Sequence, residues 1–243
     1  MEDHPYFAES AAILAAGQGT RLKTPGVAKA LFPICDKPLI SFGIDALIAL
    51  GFRTIWIVKY VEHDYSLLDA LYRDSCVEIR YVCEETTQGS LHSFALLRRH
   101  IFGSFFLLDC DLVFRARDFV ASARRGAEAM RSRDLLGVVA RVLHPSKSDE
   151  TNVLLVKNGL AKRFNKSGGV GYDRGGYAYI WRPEIFQEVD GFLATGKTLS
   201  TYFDYVMRTR EVGVMDVEDL MDVDTLADAA FARAQRERVD RHA

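Results

Sequence analysis

Short apolar runs and longer amphipathic stretches alternate along the first half of the chain. Ala11–Ala16 (AAILAA) is a continuous apolar run opening onto glycines, the pattern of a buried strand. Pro38–Leu50 carries apolar residues at helical spacing and stops at Gly51, a usual helix terminator. Thr54–Lys59 is β-branched and aromatic and reads as a strand. Tyr65–Arg73 reads as a helix, Val77–Cys83 as an alternating strand, Ser90–Phe102 as a helix and Phe105–Cys110 as a fully apolar strand. Strands alternating with helices of this length predict βαβ units. The expected fold is α/β, a three-layer, Rossmann-like arrangement around a mostly parallel sheet.

The pattern changes in the second half. Leu135–Leu143, Asn152–Val156 and Tyr177–Trp181 read as strands with short connections, so a small antiparallel addition is expected. Between the last two lies Asn165–Gly176, rich in glycine and charge, the composition of a long functional loop. Thr198–Arg210 and Thr225–Arg238 read as closing helices. No linker or internal repeat divides the chain. A single domain over 1–243 is expected, with one half at about 8–115, a second at about 130–225 and a C-terminal helix at about 225–240.

Composition narrows the functional classes. The 243 residues are 49% apolar and 26% charged, which excludes a disordered or fibrous chain. A net charge of -2 argues against a broadly basic nucleic-acid binder. The acidic start, Met1–Pro5, has no basic segment before an apolar one, and no apolar run approaches the ~18 residues of a membrane span. A cytoplasmic protein is expected. Cys35, Cys76, Cys83 and Cys110 form no C-x-x-C pair, and His63, His92, His100 and His144 show no zinc-binding spacing.

The chemistry concentrates after the first strand, in Leu14-Ala15-Ala16-Gly17-Gln18-Gly19-Thr20-Arg21-Leu22 and then Lys29-Ala30-Leu31-Phe32-Pro33-Ile34. Glycines at 17 and 19 let backbone N–H groups approach a phosphate chain, while Arg21 and Lys29 supply positive charge. A dinucleotide fingerprint is excluded by Leu22 at the third glycine position and by Pro25-Gly26, which breaks a following helix. A P-loop is absent. The segment instead resembles the signature of the sugar-1-phosphate pyrophosphorylase superfamily of nucleotidyltransferases, L-A-A-G-x-G-T-R-L followed by a lysine opening K-x-L-x-P-[VI]. Ala28 stands where the family usually has proline before that lysine.

The resemblance implies a GT-A-like nucleotidyltransferase fold and assigns further residues. Phe105–Asp111 puts carboxylates at the end of an apolar strand, where α/β proteins place ligands. Asp111 aligns with the family's metal-binding aspartate; Asp109, expected to share its face on an extended strand, is the weaker candidate. Met221-Asp222-Val223-Asp224-Thr225 with Asp228 resembles the family's D-V-D-T-x-x-D segment. Asp224 is the expected second ligand and Asp222 its substitute, while Thr225 or Asp224 also suits a helix N-cap. The implied cofactor is Mg²⁺.

Gly89 and Ser90 occupy the place of the family's nucleobase-contacting turn, and Ser90 also suits an N-cap. Lys166 resembles the lysine of the E-K-P segment that grips the acceptor phosphate, with Asn165 and Ser167 in place of glutamate and proline. Gly175-Gly176-Tyr177 resembles the strand start lining the acceptor pocket, with Asp173 and Arg174 as polar candidates.

The expected substrates are an NTP, CTP first, and a phosphorylated alcohol, polyol or sugar. A small sugar-1-phosphate guanylyl- or uridylyltransferase is the alternative, and a non-catalytic nucleotide-binding regulator belongs to a different class. A homodimer is compatible with the sequence.

Overall fold

The computed structural model describes residues 10–17, 22, 27–86, 88–143, 152–165 and 171–240, with only the backbone of 236–240. The first half contains β1 (Ser10–Ala15), the short pair β2 (Pro33–Ile34) and β3 (Lys37–Pro38), α1 (Ser41–Ala49), β4 (Thr54–Tyr60), α2 (Ser66–Tyr72), β5 (Glu78–Glu84), α3 (Ser90–Leu96), β6 (Phe105–Asp109) and β7 (Leu112–Phe114). Next come α4 (Ala116–Ser132), β8 (Gly137–Val142), β9 (Val153–Lys157), β10 (Leu160–Asn165) and β11 (Asp173–Trp181). The chain continues through α5 (Val189–Leu193), α6 (Leu199–Thr209), β12 (Val212–Val217), β13 (Leu220–Asp222) and α7 (Leu226–Asp240).

Nine strands form one sheet in the order β5-β4-β1-β6-β11-β8-β12-β10-β9. The first half is parallel, as its βαβ pattern requires: β1 lies between β4 and β6, with Ile13 opposite both Ile57 and Leu108. The mostly parallel expectation needs correction beyond β6. β11 enters antiparallel between β6 and β8, and β10 pairs antiparallel with both β12 and β9, so the sheet is mixed. Beyond β6, among the described residues, β8 with β12 restores a parallel pair.

Strand alternation divides the core. Ile13, Ile57, Phe106, Leu108 and Ala140 meet α1 and α4 on one face, whereas Leu14, Val58, Leu107, Val139 and Trp181 meet α3 and α6 on the other. The α1 terminus behaves as its glycine suggests. Gly51 has φ 97°, and the N–H groups of Gly51 and Phe52 cap the carbonyls of Ile48 and Leu47.

Several local expectations are revised. The long helix α4 is absent from the hydrophobic reading, although its buried positions Phe119, Ser122, Ala123, Gly126, Ala127 and Met130 recur at helical spacing and mark one face. Asp173–Gly176 belong to β11 rather than to a loop. The remainder of that glycine-rich stretch is partly outside the described residues. No helix among the described residues is long and apolar enough to cross a membrane.

Candidate active site

The site lies at the carboxyl end of the parallel strands. Leu14, Ala15 and Ala16 are buried at the end of β1, and Gly17 follows in the open, with nothing within 4 Å of where a Cβ would stand. Gly19, Thr20 and Arg21 lie outside the described residues, as does Lys166. In the β1–β6 register Leu14 faces Asp109, so the two strands end side by side, with Asp111 two residues beyond the end of β6.

Three acidic residues converge there. β7 and β13 form an antiparallel ribbon in which Asp222 faces Leu112, and the Val223 N–H donates to the Asp111 carbonyl at 2.9 Å. Period-two alternation does the rest. Met221 and Val223 enter an apolar cluster with Leu22, Phe32, Ile34, Leu39, Phe42 and Ala229, leaving Asp222 and Asp224 for the opposite side. Asp111, Asp222 and Asp224 then each present one carboxylate oxygen, all within 4.8 Å of one another. Asp109 is not in this group. β6 ends at Asp109 and the chain turns through Cys110, so the extended geometry expected to align Asp109 with Asp111 is broken.

Lys29 stands at the centre of the acids. It sits in a single 3-10 turn, Lys29–Leu31, pinned to the start of α1 by the Ile40 N–H bond to Ala30 (2.9 Å). The residue is only 8% exposed. Its Nζ donates to Asp224 Oδ1 at 2.5 Å and to Asp111 Oδ2, and lies 3.9 Å from Asp222 Oδ1. Burial opposes its charge, but Asp111 and Asp222 more than offset that, so its pKa is raised. The acids remain short of positive charge even so. Burial, followed by repulsion from Asp111, pushes the Asp222 carboxyl up to about 9, against the pull of Lys29. An all-oxygen carboxylate set with this surplus of negative charge suits a hard divalent cation such as Mg²⁺.

Helix capping is separated from these acids. Thr225 Oγ1 accepts from the Asp228 N–H (3.2 Å), and Asp228 Oδ2 accepts from the N–H groups of Thr225 (2.8 Å) and Asp224 (2.9 Å). This reciprocal capping box starts α7 at Thr225 and leaves the Asp224 carboxylate to Lys29.

At the edge of the parallel half, Gly89 rather than Ser90 is the N-cap of α3. Its φ of 98° is readily available only to glycine, and Ser90 is the first helical residue. Sequence reading missed what holds this turn. Glu84 is 2% exposed; its Oε1 accepts from the Gln88 N–H (3.2 Å) and lies 2.9 Å from His92 Nδ1, while Oε2 accepts from Ser93 Oγ (2.6 Å). A charged residue closing an otherwise half-apolar strand was the available signal.

The acceptor candidates occupy a distorted strand start. Gly176 has φ 102°, and a Cβ there would meet Phe164 at 2.8 Å; Tyr177 also has positive φ, 68°, within an irregular β11–β8 register. Arg174 begins this strand beside Asp173. Asp173 accepts from Arg141 Nη1 (3.4 Å), and Arg141 also grips Asp216 through Nε (2.6 Å) and Nη2 (2.9 Å). These partners come from β8 and β12, whose pairing no local motif announces.

Comparisons with known proteins agree with this architecture. Glucose-1-phosphate thymidylyltransferase of Xanthomonas campestris pv. campestris is 34% identical over 96 residues, covering 37% of this chain and 32% of the relative. The Neisseria gonorrhoeae enzyme of the same name is 28% identical over 141 residues, covering 56% and 48%. The matches therefore span about a third to a half of the curated relatives' length.

Among solved structures, the inositol-1-phosphate CTP transferase from T. maritima superposes with a TM-score of 0.75 at 20% identity, covering 91% of each chain. A UDP-glucose pyrophosphorylase complexed with UDP-glucose gives 0.77 at 16% identity, covering 96% of this chain and 99% of the other. At such identities these likenesses establish the fold alone. The model of the MobA-like NTP transferase domain matches residues 11–194, and the chain belongs to that family.

Proposed function

We propose that the protein is a Mg²⁺-dependent nucleotidyltransferase that moves NMP from an NTP to the phosphate of a phosphorylated small alcohol, polyol or sugar, releasing pyrophosphate. The carrying observation is Lys29 enclosed by Asp111, Asp222 and Asp224. The two halves of the chain act as one unit, because Lys29 and Asp111 come from the first and Asp222 and Asp224 from the second.

In the reaction an acceptor phosphate oxygen attacks the α-phosphorus. A new P–O bond forms, the bond to the bridging α–β oxygen breaks, and its electron pair leaves with pyrophosphate. A phosphomonoester is largely dianionic at neutral pH, so its oxygen needs no general base. Positioning and charge neutralisation carry the rate. Lys29 and Arg21 neutralise the triphosphate, and Lys166 steadies the attacking phosphate. The backbone of Gly17, Gly19 and Thr20 follows the phosphate chain. Gly89 and Ser90 border the nucleobase; Asp173, Arg174 and Gly176 border the acceptor. A Mg²⁺ held by Asp111, Asp222 and Asp224 supplies the charge that makes pyrophosphate a good leaving group.

CTP with a phosphoalcohol or phosphopolyol is the first substrate reading, in keeping with the likeness in fold to the inositol-1-phosphate CTP transferase. The thymidylyltransferase relatives favour dTTP with a sugar-1-phosphate as the second. Pyrophosphate release over five NTPs crossed with phosphocholine, inositol-1-phosphate, glucose-1-phosphate and mannose-1-phosphate tests the reading. Turnover of one pair supports it; silence over the whole panel with Mg²⁺ and with Mn²⁺ overturns it.

A further inference from the structure

We propose that Asp204 is a positioning residue for the acceptor: it holds the end of β10 and, through Phe164, fixes the irregular start of β11. The proposal rests on the function proposed above, in which Asp173, Arg174 and Gly176 border the acceptor. It adds the residue that sets their geometry from behind the strand.

The argument begins at the edge of β10. On one side β10 pairs with β9 as far as Asn165, whereas among the described residues its ladder with β12 reaches only Leu160. Phe164 lies on the stretch that β12 leaves uncovered, and α6 covers it. Asp204 Oδ1 accepts from the Phe164 N–H at 2.9 Å and from Arg163 Nε at 2.8 Å. The Asp204 side chain is 17% exposed, so the bonds form where water competes poorly. Thr198 caps α6, and its helix does not call on this carboxylate.

Phe164 carries the constraint to β11. Its buried ring places Cε2 2.8 Å and Cζ 3.0 Å from where a Cβ at Gly176 would stand. Gly176 and Tyr177 are consecutive residues of positive φ, 102° and 68°. For a tyrosine that backbone is strained, and it persists only where the surroundings enforce it. The Phe164 ring lies against Gly176, and the Tyr179 hydroxyl accepts from the Tyr177 N–H at 3.2 Å. α6 backs both contacts, because the ring of Phe203, next to Asp204, lies 4.7 Å from that of Tyr179. Without Asp204 the end of β10 and the Phe164 ring can shift, and Gly176 and Tyr177 lose the support for their conformation. The acceptor then meets an altered border. The cluster around Lys29 is built from other elements, the 3-10 turn and the β7–β13 ribbon, and keeps its shape.

The test compares Asp204→Ala, Asp204→Asn and Arg163→Ala. The first removes the acceptor of the Phe164 N–H, the second keeps an oxygen for it, and the third removes only the half-exposed ion pair. With the substrate pair that turns over, Asp204→Ala should raise the acceptor KM about tenfold and leave the NTP KM at its wild-type value. The other two variants should stay within about threefold of wild type. Equal rises in both KM values, an unchanged acceptor KM in Asp204→Ala, or Asp204→Asn or Arg163→Ala as impaired as Asp204→Ala overturns the proposal.

Amide hydrogen exchange gives a readout that needs no turnover. In Asp204→Ala the amides of Phe164 and Tyr177 should exchange roughly tenfold faster, with those of Ile13 and Ile57 unchanged. A Tyr177 amide that exchanges at the wild-type rate overturns the proposal. If Asp204→Ala does not fold, Phe164→Leu decides, since it keeps the backbone bond and trims the ring. It should show the same split in KM and the same faster exchange at Tyr177; the lack of either overturns the proposal. A silent substrate panel removes the function, whereas exchange at Tyr177 reports on Asp204 alone, so the two failures remain distinct.

Discussion

The N–H of Val223 donates to the carbonyl of Asp111 across 2.9 Å, and this bond locks together two acidic segments from opposite halves of the chain. Asp111 follows the central strand β6, whereas Val223 follows β13, a three-residue strand that returns beside β7. The relationship turns two scattered acidic motifs into one cluster around Lys29.

Removing either outer acid should uncouple the cluster from its cation. Asp111→Asn and Asp224→Asn are each expected to cut kcat by about 10²–10³ and to raise the Mg²⁺ concentration needed for half-maximal rate. An unchanged Mg²⁺ titration in either variant removes that residue from the metal set.

The cap of α7 should behave differently. Thr225→Ala removes the acceptor for the Asp228 N–H and should cost about 1 kcal/mol of stability. Because the cap and the ligand are different residues, the Mg²⁺ requirement should stay at the wild-type value. Denaturant unfolding and a metal titration on the same variant check both halves of that statement.

Glu84 holds the turn that carries Gly89. Glu84→Ala leaves the Gln88 N–H, the Ser93 hydroxyl and the His92 ring without their shared acceptor, and should cost about 2–3 kcal/mol. The KM for NTP should rise several-fold while the KM for the acceptor stays put. Glu84→Gln should recover part of both losses. Equal changes in the two KM values would show that the turn does not serve the nucleotide.

The acidic cluster also predicts a slope in stability. Asp222 is held up to about 9 in the folded protein, against 3.8 as its ordinary value. Between those limits the folded state keeps a proton that the unfolded chain gives up. Folding is therefore progressively disfavoured at this residue as pH rises from about 4 towards 9. Asp222→Asn cannot ionise and should flatten this part of the profile. Melting temperatures of both proteins in EDTA between pH 5 and pH 9 measure it; parallel curves would remove Asp222 as the source.

How much of this was readable beforehand differs by region. β1, β4 and β6 are apolar runs ended by glycine or acid, so the parallel half and its ligand-bearing end follow from pattern. Lys29, Asp111 and Asp224 were reached because each lies in a contiguous motif. The insertion of β11 was not readable: its neighbours β6 and β8 are set by packing, and Gly175 and Gly176 near its start resemble a loop until Leu154 and Phe164 press against them. Glu84 offered a signal, a charge closing a half-apolar strand, but only the structure brings Gln88, His92 and Ser93 around it.

The amino-acid order by itself determined which residues carry charge, where apolar strands end and which glycines follow the first strand, because those properties are local. Tertiary structure alone decided that Asp222 joins Asp111 and Asp224 while Asp109 stands apart, that Thr225 takes the cap, and that Lys29 occupies the space among the acids. The physical reason is that carboxylates and ammonium groups interact strongly only within a few ångströms in a poorly hydrated site. Here that proximity comes from the β7–β13 ladder and the apolar side chains of Met221 and Val223, which join residues more than a hundred positions apart.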